Sequence, residues 1–200
     1  MPRHTSDVAP RAPSRQRLVQ AASELLRHQG LAATGVKQIL TAADAPFSSL
    51  YHHFPGGKEQ LAGEAVLAAG GFYQQQVEAV WDAAPDLASS IAAIFDGAAD
   101  ELLASDYADA CPIATVALEV ASTSESLRRA TAQVFDAWIA AASSRLTAAG
   151  IPAGQADGLA QAIIALLEGA FILARASKST QPMRGARDAA LTLIDQRLAT

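Results

Sequence analysis

Apolar residues recur in this chain at three- and four-residue spacing, segment after segment, and almost nothing keeps the two-residue rhythm of a half-buried strand. That rhythm restricts the chain to helices packed on helices. In SRQRLVQAASELLRHQG, Leu18, Ala21, Ala22, Leu25 and Leu26 share one face, with Ser14 placed to cap the start and Gly30 to stop the end. A second, short helix opens at Thr34, carries Val36, Ile39 and Leu40, and breaks near Asp44. A third opens at Pro46, a residue suited to a first helical turn, and ends before Pro55. A fourth starts at GGKEQLAGEAVL and runs past Trp81. Asp86 caps a fifth, with Ile91, Ile94, Phe95, Ala98 and Leu102 in its stripe. A sixth follows Cys111–Pro112, and STSES caps a seventh that Gly150–Ile151–Pro152 stops. An eighth spans about 154–177, and a ninth after Pro182 carries Arg187, Leu191, Ile194 and Leu198. The expectation is an all-α chain of about nine helices.

The eighth segment differs from the rest. Ile163, Ile164, Leu166, Leu167, Phe171, Ile172 and Leu173 cover most of its circumference, so it needs cover on more than one side. Near the end of a chain of 200 residues, a second copy is the natural cover, which predicts a homodimer through the last two helices. Gln161 and Glu168 interrupt the run, so a buried helix is expected and no membrane span. One cysteine, Cys111, excludes an intramolecular disulfide and a multi-cysteine metal site. Residues 1–13 lack the apolar core of a signal peptide and are expected as a disordered arm, and the location as cytoplasmic.

Charge is divided unevenly. Residues 1–60 hold seven Lys/Arg against four Asp/Glu, and residues 61–200 hold eight against sixteen. A basic end on an acidic body points to a polyanion at that end. Two short helices joined by a tight turn and buttressed by a longer one fit the helix-turn-helix plan, in which the second short helix enters the DNA major groove. Here that helix is PFSSLYHHF: Ser48 and Ser49 are small enough to approach base edges, while Leu50 and Phe54 anchor inward. Lys37 and Lys58 each fall in a first helical turn, the positive end of the macrodipole. A phosphate there reverses the sign, because free amides and lysine then favour the same anion. Tyr51 and His52 can donate from the same side.

The run GVKQILTAADAPFSSLYHHFPGGKEQLAGEAV resembles the DNA-binding segment of the TetR family of bacterial transcriptional regulators, most visibly in LYHHF followed by a glycine-lysine helix start. The later runs CPIATVALEVASTSESLRRATAQVFDAWIAAASSRL and ALLEGAFILARA are similar to the ligand-binding region of the LmrA/YxaF-type subgroup. The resemblance implies a homodimeric repressor with a DNA-binding unit at 14–60 and a ligand-binding and dimerisation domain at 61–200. By position it implies DNA-backbone contacts from Thr34, Lys37, Tyr51, His52 and Lys58, with Pro46, Phe47, Ser48 and Ser49 facing the groove of double-stranded operator DNA. Three residues depart from the family pattern. Phe47 stands where lysine or arginine is common, Ser48 where glycine is frequent, and Asp44 at the usual turn glycine. Asp tolerates a left-handed turn. Phe47 either meets a thymine methyl or lies sideways as packing.

The C-terminal body has little catalytic equipment. No histidine follows His53, so no Ser–His or Cys–His pair forms within it, and neither an enzyme nor a cofactor is expected. A cavity for a small apolar or aromatic inducer is the better reading, walled by Phe72, Phe95, Val116, Phe135, Trp138 and Phe171, with Glu119 or Glu168 to orient the ligand. The fourth helix, with Lys58 at one end and Phe72 and Trp81 further along, is the expected lever between cavity and groove. The rival reading is a helical small-molecule-binding or scaffold protein whose DNA unit has decayed.

Overall fold

The computed structural model describes residues 12–199, so most of the expected arm at 1–13 lies outside the described residues. Among those described, nine α-helices follow one another and no strand occurs: α1 (Ser14–Ala33), α2 (Val36–Ala42), α3 (Phe47–His53), α4 (Gly57–Ala83), α5 (Leu87–Ala104), α6 (Pro112–Val120), α7 (Glu125–Ala148), α8 (Ala153–Ser177) and α9 (Gln181–Leu198).

Several helix ends fall where side-chain chemistry puts them. Asp86 accepts from the Ser89 amide at 2.7 Å at the start of α5, and Ser124 accepts from the Leu127 amide at 3.3 Å at the start of α7. Asp44 takes φ +44° in the α2–α3 turn, and Gly150 takes φ +103° beyond α7. Other ends differ from expectation. α1 enters from Pro13, and Ser14 does not cap it; its hydroxyl instead meets the His53 ring nitrogen at 2.7 Å, pinning α1 to the end of α3. Gly30 (φ +75°) does not end α1 but kinks it, and one more turn follows to Ala33. α2 starts after Gly35, whose amide donates to the Gln38 side chain at 2.7 Å, so Thr34 is not its cap.

Two apolar clusters form. The first joins Leu18, Leu26, Ile39, Leu50 and Phe54 of α1–α3 and its end to Leu61 and Val66 of α4, Ile113 and Val116 of α6, and Leu127 and Val134 of α7. The core therefore runs on without a break at residue 60, where a division between two units is expected from the sequence. The second joins Ile91, Phe95 and Leu102 of α5 to Leu146, Leu159, Ile163, Ala170, Met183 and Ile194 from the end of α7 through α9. α8 packs between α7 and α9. Its 25 residues are long and apolar enough to cross a bilayer, but Leu159, Ala160, Ile163, Ala170 and Ala174 are buried in this second cluster. Ile172 and Leu173 remain 57% and 61% exposed.

Candidate nucleic-acid interface and buried cavity

α3 is seven residues long and held by its inner face. Leu50 and Phe54 are buried, and the Arg15 guanidinium lies over the Phe54 ring, 5.2 Å from its centroid. Arg17 fastens the turn before it, donating to the carbonyls of Ala43 (2.9 Å) and Asp44 (3.1 Å). The outer face is left to solvent. Phe47 is 65% exposed and Tyr51 54%, with ring centroids 5.9 Å apart. Phe47 is thus not packing in the core, and Tyr51 is not a core residue. Pro46, Ser48 and His52 are exposed and Ser49 half-buried. Lys37 is exposed on the first turn of α2 and makes no hydrogen bond or ion pair with any described residue. Pro46 stands one residue before α3 rather than within it.

Two of the expected phosphate ligands are otherwise engaged. Thr34 is 1% exposed, and its hydroxyl donates to the Gly30 carbonyl at 2.6 Å. It braces the kink of α1 and its side chain does not face solvent. Lys58 does stand in the first turn of α4, but its ammonium donates to the Leu31 carbonyl at 2.8 Å, at the negative end of α1. The negative group that offsets this lysine belongs to the chain itself.

The kink carries a second bond to a distant element. Because Gly30 leaves the helical conformation, the amides of Leu31 and Ala32 lose their partners one turn back. Glu119 of α6 accepts from both, at 3.1 and 2.7 Å. Glu119 is therefore not a wall of the cavity, contrary to expectation. A Cβ on Gly30 would collide with the Glu119 carboxylate. Nearby, Asp109 pairs with Arg27 at 3.1 Å and His28 at 2.6 Å. Glu59 accepts from Ser124 at 2.5 Å and from Ser126, which holds its carboxyl below the usual range. α1 is thus tied to the body by the α5–α6 loop and α6, and the start of α4 by the start of α7.

A cavity of about 290 Å³ lies between the two apolar clusters. Phe95, Trp138, Glu168 and Phe171 line it, as the sequence led one to expect, along with Tyr73 and Trp81 of α4, Ile91 of α5 and Leu167 of α8. Three other expected wall residues lie elsewhere. Phe72 is 56% exposed, its ring edge-on to Tyr73 at 5.5 Å between centroids, and only the tyrosine reaches the cavity. Val116 is buried in the first cluster. Phe135 packs edge-on against Trp138, 5.7 Å between centroids, and only the tryptophan reaches the cavity. The Trp138 indole N–H donates to the Gly70 carbonyl at 3.0 Å.

Polar groups in the wall are few and mostly engaged. Besides the Arg27–Asp109 pair, Arg145 pairs with Asp82, and Glu78 accepts from Gln74 at 2.8 Å. Two buried oxygens at the cavity lack a hydrogen bond: Asp109 Oδ1, which is paired with His28 at 2.6 Å, and Glu168 Oε2, which is not paired with any described residue. Burial raises the Glu168 pKa to about 7, although the neighbouring Cys111 thiol hydrogen-bonds to the carboxyl and pulls the other way. The same burial and the nearby carboxyl push the Cys111 thiol up, which keeps it protonated and weakly nucleophilic.

Comparison with known proteins agrees with this geometry. Residues 18–65 match the model for bacterial regulatory proteins of the tetR family, and residues 88–189 match the C-terminal domain of LmrA/YxaF-like transcriptional regulators. An uncharacterised HTH-type transcriptional regulator of Mycobacterium tuberculosis is 36% identical over 84% of this chain and 88% of its own length. The HTH-type transcriptional regulator LmrA of Bacillus subtilis is 31% identical over 85% and 90%. A TetR transcriptional regulator from Legionella pneumophila superposes with a TM-score of 0.79 at 23% identity, covering 94% of this chain and 98% of that one.

Proposed function

The chain belongs to the TetR family of bacterial transcriptional regulators, which are not enzymes, and from that premise we propose that it is a cytoplasmic repressor released from its operator when a small ligand fills the cavity. The observation that carries the DNA-binding part is the outer face of α3. Phe47, Ser48, Tyr51 and His52 stand exposed there while Leu50 and Phe54 fix the helix from behind. Pro46, Phe47, Ser48 and Ser49 are proposed to face the groove, with Phe47 against a thymine methyl. Lys37, Tyr51 and His52 hold phosphates. Thr34 and Lys58 act on DNA indirectly, by fixing the kink of α1 and the seat of α4.

Regulation follows as a population shift. A dimer formed through α8 and α9 places two α3 helices on successive major grooves, about 34–36 Å apart. A ligand that binds better to a dimer of another spacing weakens DNA binding by its differential affinity for the two states. α4 connects the ends, with Lys58 near the DNA unit and Tyr73 and Trp81 in the cavity wall. The α5–α6 loop adds a second connection, since Asp109 lies at the cavity and grips Arg27 and His28.

The test is fluorescence anisotropy on a duplex from upstream of the chain's own gene, against a scrambled duplex, over a salt series. Specific binding should fall with a log–log slope of about −0.9 per phosphate neutralised, and Lys37→Gln should make that slope shallower by about 1. Binding that ignores sequence and salt would favour the scaffold reading.

A further inference from the structure

The cavity wall carries a sign. Arg27 is neutralised by Asp109 and Arg145 by Asp82, so among the described residues no unpaired cation is left in the wall to hold an anionic ligand. On the other side of the balance stands Glu168, with one oxygen buried and unpartnered. A carboxylate in that position has lost its hydration and gained only a thiol donor, Cys111, at the carboxyl in exchange. Trp81, Trp138, Phe95 and Phe171 line the same cavity. Aromatic faces attract cations, and most strongly when water is excluded.

Resting on the reading of this cavity as the inducer site, we infer that it selects a compact aromatic amine, its ammonium on the Glu168 carboxylate and its ring among Trp81, Trp138 and Phe171. The size is consistent with a one- or two-ring compound, since about 290 Å³ lies at the lower end of ligand cavities. A neutral alcohol of the same shape satisfies one hydrogen bond but leaves the charge uncompensated. Above the Glu168 pKa of about 7 an arylcarboxylate meets Glu168 as a like charge and is disfavoured.

The titratable groups that line the cavity with Glu168 are Arg27 of α1, Tyr73 and Glu78 of α4, Glu101 of α5, Asp109 and Cys111 before α6, and Arg145 of α7, and of these Cys111 contacts its carboxyl. Burial rather than any of these charges is what raises the Glu168 pKa to about 7. An ammonium ligand binds the ionised form, so its binding releases the Glu168 proton and strengthens as pH rises through that value.

The experiment uses the full chain without DNA. 1-Naphthylmethylamine, 1-naphthylmethanol and 1-naphthoate are titrated by calorimetry and by tryptophan quenching at about pH 6, 7 and 8. We expect the amine to bind roughly tenfold more tightly than the alcohol at the highest pH, and that preference to shrink severalfold at the lowest. Glu168→Gln should bring the two within about twofold. An amine preference flat with pH in the native chain, equal binding of amine and alcohol, tighter binding of the naphthoate, or no binding of the amine each overturns the inference. Because the readout involves no operator, amine binding that fails to release DNA would count against the repressor reading and leave this one standing.

Discussion

A carboxyl held in an apolar wall binds its proton more tightly than it does in the unfolded chain, so Glu168 ties stability to pH. Its pKa is raised from 4.5 to about 7. The native state therefore carries the extra proton between those values, and stability falls as pH rises. The contribution is fully present below about 4.5 and is lost by the time pH passes 7, amounting to roughly 2–4 kcal/mol. Urea unfolding at stepped pH should show that decline in the native chain and a flatter profile in Glu168→Gln. Glu168 could be read from the sequence because a carboxylate interrupts an otherwise apolar stripe. Glu119 presented the same pattern and has a different role. What separates them is the kink at Gly30, 89 residues away, which frees the amides that Glu119 takes. Periodicity is a local signal and does not report such pairings. Lys58 shows the same limit, since its partner carbonyl at Leu31 comes from another helix.

Neighbouring glycines in α4 test how closely the helices approach. At Gly70 a Cβ would stand 2.5 Å from a Val134 methyl group of α7, and the Gly70 carbonyl accepts from Trp138. At Gly71 a Cβ would meet nothing within 4 Å. Gly70→Ala should destabilise by about 1–3 kcal/mol, because a β-branched side chain has little freedom to yield. Gly71→Ala should stabilise by about 0.5–1 kcal/mol through helix propensity alone. Thermal melts of the two variants should move in opposite directions from the native chain. A sequence reader sees only Gly–Gly in mid-helix, a feature that lowers helix propensity twice over. Elements as such were legible because their determinants are local: apolar spacing, Asp86 and Ser124 at helix starts, Gly150 at a stop. The start of α2 shifted from Thr34 to Gly35 because the Gln38 side chain, one turn ahead, takes the Gly35 amide and the kinked end of α1 claims Thr34.

For the molecule as a whole, the unanswered surface is on α8. An 18-residue window of this helix has a mean hydropathy of 1.7, yet only 28% of it is buried within the chain. Ile172 and Leu173 stand out from the exposed side. Contiguous exposed apolar surface of this kind marks an interface more often than a free surface. A two-fold pairing through α8 and α9 would cover it and set the distance between two α3 helices. Replacing Ile172 by glutamate puts like charges across such a pairing while removing almost nothing from the single chain's core. Ile172→Glu should therefore sediment as a monomer at micromolar concentration and bind the operator at least tenfold more weakly. Its unfolding should lack the concentration dependence that such a pairing would impose on the native melting temperature. A variant that remains dimeric with operator binding intact would move the interface elsewhere. The exposed side of α8, Ile172 and Leu173, would then be the surface for a different partner, since the opposite side is already packed against α7 and α9.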